Sequence, residues 1–116
     1  MAQKGLKRGS QFRQVYRTGR REAGEKIVIY YMGTGEGGVL PGFVASKKNV
    51  GKRACQRNRA KRLMREAYRK IAGRITEKNL WIVFIASFDP SETSLVQLTE
   101  DVESSLGRAG LISNGE

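Results

Sequence analysis

Arg57, Lys61, Arg65 and Arg69 recur every fourth residue in QRNRAKRLMREAYRK, residues 56–70, where seven of fifteen residues are Lys or Arg and only Glu66 opposes them. Guanidinium forks and an ammonium at that spacing suit one chemistry above others, hydrogen-bonded neutralisation of a polyanion. An ordinary solvated helix face mixes signs and gains from opposite charges four residues apart. Here the four-residue pairs repel, a series better explained by phosphates that neutralise it. Asn58 stands among the cations as a neutral donor and acceptor, able to contact sugar, phosphate or a hydrated metal ion.

Other chemistries are poorly supplied. The chain has no histidine. That removes the commonest general base, any Ser-His or Cys-His nucleophile pair and the commonest zinc ligand. Cys55 is the single cysteine, so no internal disulfide and no Cys-based zinc site is expected, in keeping with a reducing cytoplasm. Cys55 itself reads as a small packing residue at the start of a helix. At 116 residues the chain is one domain, 1–116, with a modest core.

Charge is localised. The whole chain carries +11, with twelve basic residues and one acid between Lys47 and Arg74, and six acids and one base, Arg108, from Asp89 to Glu116. Net charge speaks to partners, and a basic face of this kind fits nucleic acid or an anionic membrane. No apolar run reaches the ~18 residues of a membrane span. The start, MAQKGLKRGSQF, is basic without an apolar stretch and is not read as a signal peptide. A membrane-surface helix would leave bulky apolar residues free, whereas the apolar side of this one is needed for the core. Nucleic acid is therefore the expected partner, with no membrane and no small-molecule substrate.

These cations need a helix to align them. At ~100° per residue, residues 54–72 place Ala60, Leu63, Met64, Ala67, Tyr68 and Ile71 on one side. Asn58, Lys61, Arg62, Arg65 and Arg69 lie opposite, with Arg57 at the edge. Before it, Ser10 can cap a short helix bearing Phe12, Val15 and Tyr16, stopped at Gly19. IVIYYM (27–32) is β-branched and aromatic, hence a strand, and a second extended run covers Val39–Lys48. Thr34–Gly38, TGEGG, between them reads as a mobile hairpin loop. WIVFIA (81–86) is nearly all apolar and is expected as a central strand covered on both faces. Asp89-Pro90 breaks the chain. Ser94 and Gln97 then form a capping box ahead of a last helix striped by Leu95, Leu98, Val102 and Leu106.

Helix-turn-helix DNA binding does not fit, because strands flank the basic helix and no second helix precedes it by a short turn. PGFVAS (41–46) shares only Gly-Phe-Val with the aromatic strand of an RRM sheet. Recognition of RNA shape and backbone, with aromatics stacking on single strands, fits better.

The ordered pieces FVASKK (43–48), VGK (50–52) and RNRAKRLMRE (57–66) resemble the bacterial ribonuclease P protein component. So do Phe12, Val15, Tyr16 and Gly19 near the start and Leu106, Ala109, Gly110 and Leu111 near the end. The resemblance implies an α+β (α/β) sandwich of order αβββαβα. It adds an early strand near 21–25 that completes a four-stranded sheet, and a left-handed crossover through the basic helix, where the general rule would draw a right-handed one. It implies a cofactor that binds ribonuclease P RNA and precursor tRNA and assists removal of the 5′ leader, with catalysis by Mg2+ held mainly by the RNA. Arg53, Arg57, Asn58, Arg59, Lys61, Arg62, Arg65 and Arg69 would contact the catalytic RNA. Phe12, Tyr16, Ser46, Lys47 and Lys48 would line a leader cleft; plain core packing is the other reading of Phe12 and Tyr16. No catalytic and no metal-binding residue is expected on this chain. Asn49 is an extra residue relative to many members, and Tyr16 stands where Phe is frequent. Residues 1–9 and 111–116 are expected to be flexible tails.

Two other functions compete. A ribosomal or general binder of structured RNA would show no leader dependence. A protein-only nuclease would cut RNA without an RNA partner.

Overall fold

A computed structural model describes residues 5, 6, 8–35 and 37–112. The elements run α1 (Gly9–Thr18), β1 (Arg20–Ala23), β2 (Ile27–Gly33), β3 (Val39–Val44), α2 (Ala54–Ile71), β4 (Leu80–Ala86) and α3 (Leu95–Arg108). A short 3₁₀ turn, Ala72–Arg74, ends α2. The order is the expected αβββαβα.

The four strands form one mixed sheet in the order β1-β2-β4-β3. β4 pairs antiparallel with β2 and parallel with β3. WIVFIA is therefore central, and Ile82, Val83 and Phe84 are fully buried from alternating faces. Burial of each such side chain stabilises by roughly 1.5–3 kcal/mol.

This order corrects the hairpin. β2 and β3 are joined by five residues yet do not pair, because β4 inserts between them. The connection passes over the start of β4 and is tied to it. The Thr34 N–H donates to the Asn79 carbonyl at 3.2 Å, and the Leu80 N–H to the Gly38 carbonyl at 3.1 Å. The Asn79 side-chain oxygen accepts from the Gly38 N–H at 2.9 Å. Gly37 and Gly38 take φ of +100° and +77°, open to glycine at little cost. Glu36 lies outside the described residues.

The helices divide between the two faces. α2 and α3 cover the face bearing Ile27, Ile29, Leu80, Ile82, Phe84 and Ala86. α1 covers part of the other, where Val15 and Leu6 pack with Val83, Tyr30, Leu40, Val44, Trp81 and Ile85. The basic helix is buried through Ala60, Met64, Ala67 and Ile71, as its wheel requires, while Leu63 and Tyr68 are half-buried.

Several ends differ from expectation. The α1 N-cap is Arg8, whose N–H donates to the Gln11 side chain at 3.0 Å; Ser10 lies within the first turn. β3 stops at Val44, because residues 47–50 form a turn closed by the Val50 N–H on the Ser46 carbonyl at 3.0 Å. The Ser94–Gln97 capping box is present, with reciprocal bonds of 3.1 and 3.0 Å. α3 ends in a Schellman motif: Gly110 takes φ +76°, and the N–H groups of Leu111 and Gly110 donate to the Leu106 and Gly107 carbonyls. Leu111 and Ile112 are buried, and Ile112 bridges to Ile75. At the other end Leu6 is buried and its N–H donates to the Pro41 carbonyl at 2.9 Å. The tail positions 1–4, 7 and 113–116 lie outside the described residues.

Candidate nucleic-acid interface

α2 begins with cations where a helix favours anions. Arg53 is the N-cap and the first turn holds no acid. The positive end of the helix dipole adds to those charges. Such an N-terminus is unfavourable alone and well suited to phosphate.

The cations along α2 have different local partners, which the sequence pattern does not reveal. Arg57 is half-buried, and its Nη1 donates to the Gly51 carbonyl at 3.0 Å and the Lys52 carbonyl at 2.6 Å. It therefore holds the end of the loop that enters the helix. Lys61 is half-buried on the same flank. The Arg65 guanidinium carbon sits 5.4 Å from the Phe43 ring centroid. Arg69 pairs with Glu66 at 3.1 Å. The four-residue ladder is thus not a uniform outward row: neighbouring side chains and backbone hold three of its members, which lowers their mutual repulsion. Asn58, Arg59, Arg62 and Arg53 are exposed. Cys55 is exposed as well, not packed, and with Arg59, Arg62 and Leu63 it lines a shallow depression on the outer side of α2.

The loop from Ala45 to Arg53 carries Lys47, Lys48 and Lys52, all exposed. The Ser46 Oγ accepts from the Asn49 N–H at 3.1 Å, which closes the turn around Asn49. The Ser46 hydroxyl is partly committed to that turn.

Phe12 and Tyr16 lie on the opposite face of the sheet from the body of α2. Gly42 permits the approach of Phe12: a Cβ there would meet the Phe12 ring at 2.7 Å. Tyr16 meets Tyr30 edge-on at 5.1 Å between centroids. Its phenol is pushed above the ordinary pKa, first by burial and second by the neighbouring Tyr30. Phe12 is half-buried and Tyr16 is 39% exposed, so packing on one side leaves a free ring surface on the other.

The register outlines the candidate cleft. Gly42, Val83, Tyr30 and Arg21 form one row across the four strands, and Val44, Ile85, Val28 and Ala23 the next. Phe12, Val15 and Tyr16 of α1 stand over the first row. In the second, Val44, Ile85 and Val28 are half-buried and Ala23 is exposed. The second row is the floor and α1 the wall. Ser46, Lys47 and Lys48 follow β3 at one end. The site residues of the sequence therefore fall into two groups, joined by the loop between β3 and α2. Tyr30, Val28 and Ile85 belong to the cleft but looked like ordinary strand residues; alternation within IVIYYM and WIVFIA was the only signal available for them.

Among the described residues no group of three or more Cys, Asp and Glu is placed to hold a metal ion. No described helix is long and apolar enough to cross a membrane.

The chain is a small α+β sandwich with a basic helix after β3 and aromatic residues of α1 over the opposite face of the sheet. The family described as Ribonuclease P matches residues 1–110, and the chain belongs to the ribonuclease P protein component family. The ribonuclease P protein component of Clostridioides difficile (strain 630) is 34% identical over 108 residues, 93% of each chain. That of Alkaliphilus metalliredigens (strain QYMF) is 38% identical over 101 residues, 87% of this chain and 85% of the relative. The solved RNase P protein of Staphylococcus aureus superposes with a TM-score of 0.80 at 24% identity, covering 97% of this chain and all of that one. The Thermotoga maritima protein gives 0.78 at 24% identity, covering 91% and 97%. At that identity the two structures show the shared fold.

Proposed function

We propose that this chain is the protein cofactor of ribonuclease P in the cytoplasm, where it binds the catalytic RNA through the start of α2 and the 5′ leader of precursor tRNA in the cleft beside α1. The observation that carries this reading is the arrangement of the two groups. Exposed Arg53, Asn58, Arg59 and Arg62 mark one surface. The cleft marks another, with aromatic rings along its wall and Lys47 and Lys48 at its mouth. Aromatic faces stack on unpaired bases and cations track the backbone, so the cleft suits a single strand and the helix suits folded RNA. The loop between them would bring the leader junction close to the catalytic RNA.

The basic helix does not fit a divalent metal site of its own. Its one carboxylate, Glu66, is engaged by Arg69. Magnesium is accordingly assigned to the RNA partner, and this chain's part is binding and positioning.

Reconstitution with a ribonuclease P RNA tests the proposal. Leader cleavage at low magnesium should rise when the protein is added, and the protein alone should not turn over. No effect of the protein would refute the cofactor role. Equal affinity for precursor and mature tRNA would favour a general structured-RNA binder.

A further inference from the structure

We propose that Arg21 is the far-end contact of the cleft, a phosphate-binding residue that takes the 5′ portion of the leader after it has crossed the sheet. This rests on the leader reading above and adds a residue outside the motifs that suggested it.

The side chain's direction follows from its neighbours. Glu22 accepts from Arg108 Nε of α3 at 2.9 Å, so Glu22 points to the face covered by α2 and α3. Successive strand residues project to opposite faces. Arg21 therefore points to the face of α1 and the cleft. In register it stands opposite Tyr30, whose ring touches Tyr16. The row that starts beneath Phe12 thus ends at Arg21, three strand spacings from β3, or roughly 14 Å. The loop 45–53 joins the other end directly to Arg53 and α2. A leader that meets the catalytic RNA there leaves the cleft at β1.

Arg21 is also prepared for a ligand. It is exposed and makes no hydrogen bond or ion pair among the described residues. Its strand is held firmly. Arg108 Nη2 donates to the Ala23 carbonyl at 2.9 Å, and the Asp101 carboxylate accepts the N–H groups of Glu25, Lys26 and Ile27 at 2.9, 2.9 and 3.1 Å. The competing explanation is a charge that protects an edge strand from pairing with another chain. Arg20 is a control of the same type on the same strand, but it stands opposite Tyr31 on the other face.

The experiment measures affinity of the reconstituted ribonucleoprotein for precursor tRNAs whose leaders are shortened one nucleotide at a time. Wild type, Arg21→Ala, Arg21→Lys and Arg20→Ala are compared. With Arg21→Ala, short-leader and mature tRNA should bind as to wild type, and long leaders roughly two- to fivefold more weakly. The salt slope for long leaders should fall by about 0.7, one single-strand phosphate contact. Arg21→Lys should restore most of the loss and Arg20→Ala should match wild type. Wild-type affinity at every length for Arg21→Ala would overturn the inference in favour of edge protection. An equal loss at every length, mature tRNA included, would overturn it in favour of a contact elsewhere. No leader-length dependence in wild type would overturn the leader reading itself.

Discussion

The guanidinium of Arg65 lies over the ring of Phe43, its carbon 5.4 Å from the ring centroid. Phe43 is itself stacked on Phe84 at 5.4 Å and 13° between planes. A surface cation is thereby held on a platform anchored in the core, and an exposed cation–π contact contributes about 0.5–1 kcal/mol. The entropy of ordering Arg65 is partly met before any RNA arrives. Arg65→Ala should weaken RNA binding and lower the slope of log K against log salt by about one contact. Phe43→Leu should weaken binding less, with the slope retained, because the charge remains but is no longer held. Titrations at four or more salt concentrations check both; an unchanged slope in Arg65→Ala would mean that Arg65 faces only water.

Arg57 should behave differently from Arg65. Its Nη1 bonds two backbone carbonyls, Gly51 and Lys52, so Arg57→Ala should cost about 1–2 kcal/mol of stability. It should also weaken RNA binding, chiefly by misplacing Lys47, Lys48 and Lys52. A double-mutant cycle separates the routes. If Arg57 acts through the loop, Arg57→Ala adds little once those three lysines are alanine. Full additivity would show a direct contact.

The difference between these arginines explains what could be read from the sequence. The burial of Ala60, Met64, Ala67 and Ile71, the central position of WIVFIA and the Ser94–Gln97 cap all follow from patterns within a few residues. The partners of Arg57 and Arg65 do not, since a carbonyl in a turn and a ring on another strand have no periodicity. The TGEGG connection misled for a related reason. Two strands five residues apart normally pair, and only the tertiary insertion of β4 shows that they do not. Cys55 looked like a packing residue by type, but its place on the turn of α2 faces solvent. Arg21 lay in a short polar strand whose direction only the Glu22–Arg108 contact reveals.

Asp101 clamps the turn between β1 and β2. Its carboxylate accepts three consecutive backbone N–H groups from Glu25 to Ile27. An amide at this position has one acceptor oxygen and turns a donor toward the remaining N–H groups. Asp101→Asn should therefore cost about 2–3 kcal/mol. Gly24→Ala should be similarly harmful, because its Cβ would lie 2.6 Å from Ser105 Oγ and 2.7 Å from both Asp101 oxygens. Urea denaturation checks both. Wild-type midpoints in either variant would show that the turn does not depend on this clamp.

The last prediction concerns alkaline stability. Burial pushes the Tyr68 phenol above its ordinary value, which is about 10. The ring packs against Phe84 at 5.4 Å and Phe43 at 6.0 Å, an environment poor for a phenolate. Above about pH 10 the unfolded chain releases this proton before the folded chain does, so the unfolded state then binds fewer protons and stability falls as pH rises. The contribution is complete below the unfolded value and is lost progressively above it. Tyr16 acts in the same direction through burial and Tyr30. Wild type and the Phe variant differ only in the hydroxyl, so the comparison isolates the phenol. Between about pH 9 and about pH 11, the urea midpoint of Tyr68→Phe should fall less than that of wild type. Tyr16→Phe should show a smaller difference, since Tyr16 is more exposed, and parallel curves for Tyr68→Phe and wild type would contradict the assignment.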